Sequence, residues 1–417
     1  MLSDHFDLLL MLFSPFYFIF GSITLLIIQL VVIHIGGFGT YKLALSFGLS
    51  KKTAVLTCLV FLSSFGVFSA VAFDYHSNVV AACLLPWFVL FIKEEKRIKS
   101  TFVFILIIIA KENMALWMFF ICTGMLFLFK SDSQRRMAIF LSGVSIIYFI
   151  AIIFFVMPAL SLHKNYNHFE FHVLGNSFQE VVSDMVRHPE EAFFLLFKNS
   201  SKDFTFDYIK TETWIFWLIS GGFLFFYRPV FLWMLIPIMM QKMYHDDSGK
   251  WGVSGQYSIE FAPLAVWCLM ETLSVQNPKK QIWIAWITAF LCISGTIRLC
   301  DSTIAFVDKA RIRFYQQSHY RSDFNTNEVY GLLGKIPKDA IVSAEGMFVP
   351  HLINRKMIYL YPLVKNAHYI LLSDDIHSYP LTLEKMLKQI DSLNSSANWR
   401  HTTLNNHLYL FEIIEKH

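Results

Sequence analysis

Residues Thr101–Lys130, TFVFILIIIAKENMALWMFFICTGMLFLFK, are two apolar runs parted by one polar triplet, Lys111-Glu112-Asn113. Charged residues flanked by helix-length hydrophobic sequence are costly inside a bilayer. They mark either a loop at the surface or a functional group in a water-filled cavity. The first run is shorter than the roughly 20 residues of a full span. Lys111 is therefore expected below the external membrane surface, in a cavity between helices or snorkelling outward on its aliphatic stem.

Outward from this stretch, apolar segments recur at 8–20, 22–47, 53–72, 78–92, 101–110, 114–130, 137–160, 213–227, 229–241, 256–273 and 281–300. They are long and do not alternate apolar with polar residues, so the pattern is that of helices rather than barrel strands. With 55% hydrophobic and 16% charged residues, the chain is not a single soluble globule. The expected fold class is an α-helical multi-pass membrane protein, with residues 1–300 forming about ten to eleven helices, followed by a small C-terminal external α/β domain.

Basic residues fall at every second connection: Lys51 and Lys52; Lys93, Lys96, Arg97 and Lys99; Lys130, Arg135 and Arg136; Arg228; Lys279 and Lys280. The positive-inside rule assigns these turns to the cytoplasm. Opposite them lie 74–78, 111–113, a long external loop at 162–212, the loop 242–255, and everything after about residue 301. In a bacterial inner (cytoplasmic) membrane that side is periplasmic or external. The net charge of +4 speaks to topology and not to a nucleic-acid partner.

Segment 8–20 contains Pro15 and suits an interfacial or re-entrant piece. The first residues, MLSDHFD, carry no basic n-region of a signal peptide. Within 162–212 one or two amphipathic helices are expected, lying on the membrane or over a cavity. In 301–417, strand-like runs at Ala340–Ser343, Met357–Tyr361, His368–Leu372 and Leu408–Ile413 accompany a helical pattern at Thr382–Leu393. The six cysteines all lie in apolar segments, without metal spacing, and read as small hydrophobes. Phosphate loops, nucleophile elbows and HExxH are absent.

Five stretches in order, HFDLLLMLFSPFYFIF with Gln29 following, FDYHSN at 73–78, AKEN at 110–113, SGQYSIEFAPLA at 254–265 and IPKDAIVSAEGMFVPHLINRKMIYLYP at 336–362, resemble the DUF2079 family of multi-pass membrane proteins. That family is itself similar to the GT-C class of lipid-linked-sugar glycosyltransferases. The resemblance implies a polyprenyl-phosphate-linked sugar in a cavity opening to the exterior, capped by the C-terminal domain. It also implies a carboxylate in the first external loop as general base, and a basic residue on the lipid phosphate. The family has an earlier helix and an acidic loop before the HF stretch. Either Asp4 or Asp7 takes the place of that acid, or an upstream part is missing.

In this frame Lys111 is the phosphate-binding candidate, since an ammonium meets a lipid phosphate as a point charge. Glu112 orients it or is itself the base. A helix-end ion pair is the plainer alternative. Asp74 and His76 admit a sugar hydroxyl or a divalent cation, or simply a solvated turn; two ligands are too few for a metal site. Gln256 and Tyr257 suit sugar recognition or an interfacial aromatic belt. His351 and Arg355 face an acceptor or stabilise a turn. No cofactor is required by these residues, and the other partners expected are membrane lipids. Competing functions are a catalytically inactive membrane assembly protein and a lipid or solute transporter.

Overall fold

The computed structural model describes residues 2, 4–162, 164, 166, 168–305, 309–321, 324–374, 379–404 and 407–414. Its contacts separate two units: residues 1–14 with 25–319, and residues 15–24 with 320–417.

The first unit is built of helices whose direction alternates along the chain. Ser77–Lys93 runs from the Asp74-Tyr75-His76 turn to the basic turn 93–97; Arg97–Ile108 returns to the Lys111 triplet; Met114–Leu128 leaves it again. Asp132–Ala151 follows and continues through a π-helical turn, Ile152–Val156. Further on, Val230–Met243 leads back toward Lys242, Phe261–Leu273 departs from Glu260, and Pro278–Ser302 closes the series. Basic turns meet at one end: Gln134 donates to the Lys93 carbonyl (2.9 Å), Arg97 to Ser133 (3.0 Å), and Arg228 to the Glu271 carbonyl (3.3 Å). The polar turns 74–78 and 109–113 and the loop 242–260 lie at the other end. At 1.5 Å per residue, the 17-residue Ser77–Lys93 helix separates the two by about 25 Å.

Among the described residues, three helices are long and apolar enough to cross a membrane: Leu9–Ser46, Asp132–Leu160 and Pro278–Ser302. A fourth candidate is the pair Lys51–Ser63 and Phe65–Val71, bent by 52°. Ser77–Lys93, Met114–Leu128, Val230–Met243 and Phe261–Leu273 are apolar but shorter. Polar turns such as 109–113 end several of the apolar helices early. Inside Leu9–Ser46 the helix is interrupted by 3-10 turns at Ser14–Phe16 and Gly21–Ile23. All six cysteines are free thiols.

The bent pair carries Gly66 at a close approach. A Cβ added there would stand 2.1 Å from the Ser258 carbonyl oxygen, so the loop before Phe261 rests directly on this helix. Gly66→Ala is expected to displace that loop and cost about 2 kcal/mol, seen as a lower unfolding midpoint in detergent. An unchanged midpoint would show that the loop yields freely.

The 162–212 stretch carries the two helices expected of it, Phe178–Arg187 and Pro189–Leu195. Ser177 caps the first by accepting from the Glu180 amide (3.2 Å), while Glu180 accepts from the Asn176 amide (2.8 Å).

The second unit holds a five-stranded sheet: β1 (Val342–Ala344), β2 (Ile358–Leu360), β3 (Tyr369–Ser373), β4 (Trp399–Leu404) and β5 (Leu408–Ile413), in the order β2-β1-β3-β5-β4. β1 pairs in parallel with β2 and β3, and β5 runs antiparallel to β3 and β4. Alternation along β3 sends Leu371 to one face with Leu332 and Leu352, and Ile370 and Leu372 to the other with Met386 and Ile390. Helices Thr326–Leu333 and Leu383–Asn394 therefore cover opposite faces. The small α/β architecture matches the sequence pattern, with β4 and the 326–333 helix added.

Candidate functional site

At the end of the first unit away from the basic turns, segments remote in sequence converge. The backbone of residues 6–8 lies along the triplet: the Leu8 amide donates to the Ile109 carbonyl (3.1 Å) and the Phe6 amide to Glu112 Oε2 (3.1 Å). Glu112 Oε1 takes His5 Nδ1 at 3.1 Å, and the residue is 2% exposed. A carboxylate only accepts, so the His5 proton sits on Nδ1 in this contact.

Asp7 is buried beside it. Its Oδ1 accepts from the Leu9 (3.0 Å) and Leu10 (3.4 Å) amides, tying down the first turn of the Leu9–Phe13 helix, and its Oδ2 accepts a short hydrogen bond from the Ser77 hydroxyl. Ser77 in turn touches the Tyr75 hydroxyl (2.9 Å). The 73–76 turn is pinned from Gln29. Its amide donates to the Ala70 carbonyl (2.9 Å) and its oxygen accepts from the His76 amide (2.9 Å).

The loop before Phe261 supplies a third carboxylate. Glu260 Oε1 accepts from Asn78 Nδ2 (2.8 Å), which also reaches the Gln256 carbonyl (3.1 Å). Lys242 is buried under this loop and donates to the carbonyls of Lys250 (2.9 Å), Gly252 and Tyr257 (3.2 Å). Lys111 stands in the field of Glu112, Lys250, Glu260 and Asp7. Among the described residues its ammonium has no hydrogen-bond or ion-pair partner.

The structure thus brings together Lys111, Glu112, Asp7 and the Gln256-Tyr257 backbone. His76 is near enough to feel Lys111 and His5. Asp4 is exposed and ion-paired with His168 (2.9 Å), whose ring stacks on His5 at 4.3 Å. Asp74 exposes its carboxylate and uses its carbonyl to accept from Gln29 (3.4 Å) and His76 Nδ1 (3.0 Å), the role of a turn. His351 and Arg355 belong to the second unit. His351 meets the Tyr330 hydroxyl at 3.3 Å, and Arg355 straps the carbonyls of Leu352 (2.8 Å), Pro337 (3.1 Å) and Ala340 (3.4 Å). Among the described residues no three His, Cys, Asp or Glu side chains gather as a metal site would require.

Glu260, Lys242 and Asn78 are site residues that residue-by-residue reading passed over. The signal was present in two of them. Glu260 immediately precedes a buried apolar helix, and Lys242 ends one, positions where charge is costly without a partner.

Two outer loops interlock above the cluster. The Asp246 amide donates to the Glu170 carbonyl (2.9 Å), His172 Nδ1 meets Asp246 (2.7 Å), and His245 Nε2 meets Glu170 (3.0 Å). His245 Nδ1 accepts from the Asp247 amide (2.9 Å), while Nε2 lies within reach of both Glu170 (3.0 Å) and Lys250 Nζ (2.7 Å). Burial, aided by Lys250, pushes this imidazole down to about 4. The folded loop binds no proton where the unfolded loop does, below the ordinary value of 6.5. Protection of residues 168–172 from protease is therefore expected to be constant above that value and to fall as pH drops toward 4. Flat protection across this window in detergent would contradict it.

No curated protein matches the chain. A family model described as a predicted membrane protein matches residues 1–412, nearly the whole sequence, in accord with the apolar helices described above. The chain accordingly belongs to the DUF2079 family of predicted membrane proteins.

Proposed function

We propose that this protein is a multi-pass membrane glycosyltransferase of GT-C-like architecture, acting on a polyprenyl-phosphate-linked sugar at the external face of a bacterial cytoplasmic membrane. The observation that carries the reading is the unpartnered Lys111 ammonium beside buried Glu112, at the end of apolar helices. A lipid phosphate is the anion that reaches such a depth. The alternating helix directions and the clustering of basic turns at the far end support several membrane crossings. An apolar groove of about 570 Å³ runs along Leu30, His34 and Phe38 to Trp87. It begins near the level of Gln29 and offers a path for a prenyl chain.

In this mechanism Lys111 holds the phosphate and stabilises it as it leaves. The acceptor hydroxyl oxygen attacks the anomeric carbon. The carbon–oxygen bond to phosphate breaks with its electron pair, and the hydroxyl proton passes to Glu112. His5, partly exposed, donates through Nδ1 to Glu112 and orients the carboxylate for this step. Asp7 keeps the N-terminal helix and Ser77 in place.

The test is transfer of radiolabelled sugar from polyprenyl-phosphate sugar in membranes containing the protein. Transfer that is lost in Lys111→Ala and Glu112→Ala supports the reading. Absence of transfer by the folded, inserted wild type, or transfer indifferent to both substitutions, overturns it in favour of an assembly protein or transporter.

A further inference from the structure

We infer that Asn78, Gln256 and Glu260 form the subsite that reads the hydroxyl groups of the lipid-borne sugar, an inference that rests on the function proposed above. The Asn78 amide is oriented without ambiguity. Its nitrogen donates to two acceptors, Glu260 Oε1 at 2.8 Å and the Gln256 carbonyl at 3.1 Å, so its other atom is the oxygen. That oxygen is buried and without a partner, and so is Gln256 Oε1; the two residues are 5% and 3% exposed. Buried amide oxygens are ordinarily satisfied, so a pair of orphans in adjoining residues asks for a ligand that brings donors.

The unmet Asn78 atom is an acceptor, the Gln256 amide, which also meets the Tyr257 hydroxyl, leaves a second buried polar atom unmet, and Glu260 adds a carboxylate. A hydroxyl-rich ligand, which both donates and accepts, meets all three. A metal cation is the other partner that oxygen atoms accept, but Lys242 and Lys111 both act on Glu260, and like charge opposes a cation there. The phosphate seat at Lys111 shares the field of Glu260, so sugar and phosphate of one molecule engage neighbouring groups. Three residues from two separate segments, 73–78 and the 254–260 loop resting on Gly66, thereby select the sugar while Lys111 and Glu112 handle the bond that breaks.

The experiment measures binding of polyprenyl monophosphate and of polyprenyl monophosphate hexose to the full chain in nanodiscs. Wild type is expected to bind the glycosylated lipid roughly 10-fold more tightly, as a few hydrogen bonds to buried acceptors provide. Gln256→Leu is expected to bind both lipids alike, at the affinity of the bare phosphate, and Gln256→Glu, which keeps an acceptor, to restore part of the preference. Asn78→Leu should behave as Gln256→Leu; if it fails to fold through loss of its bond to Glu260, the Gln256 pair carries the test. Equal binding of the two lipids by wild type, or a preference that survives Gln256→Leu, overturns the subsite and leaves the phosphate site standing. Binding of neither lipid overturns the proposed function and the subsite together.

Discussion

Glu112→Gln is expected to lower turnover by about 100-fold or more while leaving affinity for the lipid-phosphate sugar nearly intact, because an amide keeps the shape but cannot take the proton. Lys111→Met is expected to do the reverse first. Loss of one charge-assisted contact to phosphate, about 1.5–3 kcal/mol, raises the donor's dissociation constant by some 10- to 100-fold. Separate measurement of donor binding and single-turnover transfer distinguishes the two. His5→Ala should sit between them, with binding retained and transfer reduced, since Glu112 then loses the donor that orients its carboxylate. Equal effects of Glu112→Gln and Lys111→Met on binding would mean that the two do not divide binding and proton transfer between them, and the assignment of roles would fall.

The second large effect concerns Lys242→Met. The residue is 4% exposed and its ammonium gathers three carbonyls, those of Lys250, Gly252 and Tyr257, into one turn beside Glu260. Removal of one partner from a buried charge network costs about 3–5 kcal/mol, because the groups left behind are neither solvated nor paired. Met fills much of the same volume, so packing loss is small and the deficit is electrostatic. Expected results are a markedly lower unfolding midpoint in detergent and new protease cleavage between residues 245 and 258. The Glu260→Gln, Lys242→Met double variant should recover part of the loss, since it removes the unbalanced carboxylate as well. A Lys242→Met protein as stable as wild type would show that the turn is held by its backbone alone.

Much of this organisation is readable in the linear chain. Hydrophobic run length alone separates residues 1–300 from a polar C-terminal portion, and short apolar, β-rich runs pick out four of the five strands there. The Lys111-Glu112-Asn113 interruption declares itself by cost: charge between apolar runs needs a reason. The basic turns mark one end of the helices because alternate connections repeat the same composition.

What the tertiary structure decided is which polar residues meet. Asp4 and Asp7 are three positions apart and equivalent as letters, yet Asp4 is exposed on His168 and Asp7 is buried on Ser77. Asp74 and His76, equally prominent in sequence, spend their backbones on the Gln29 turn. Asn78 and Glu260 are 182 residues apart and join through one hydrogen bond. Hydrophobic periodicity is a local property set by burial of one face. Pairing of buried polar groups depends on which chain segments the folded helices bring within about 3 Å, and that information exists only once the helices have packed.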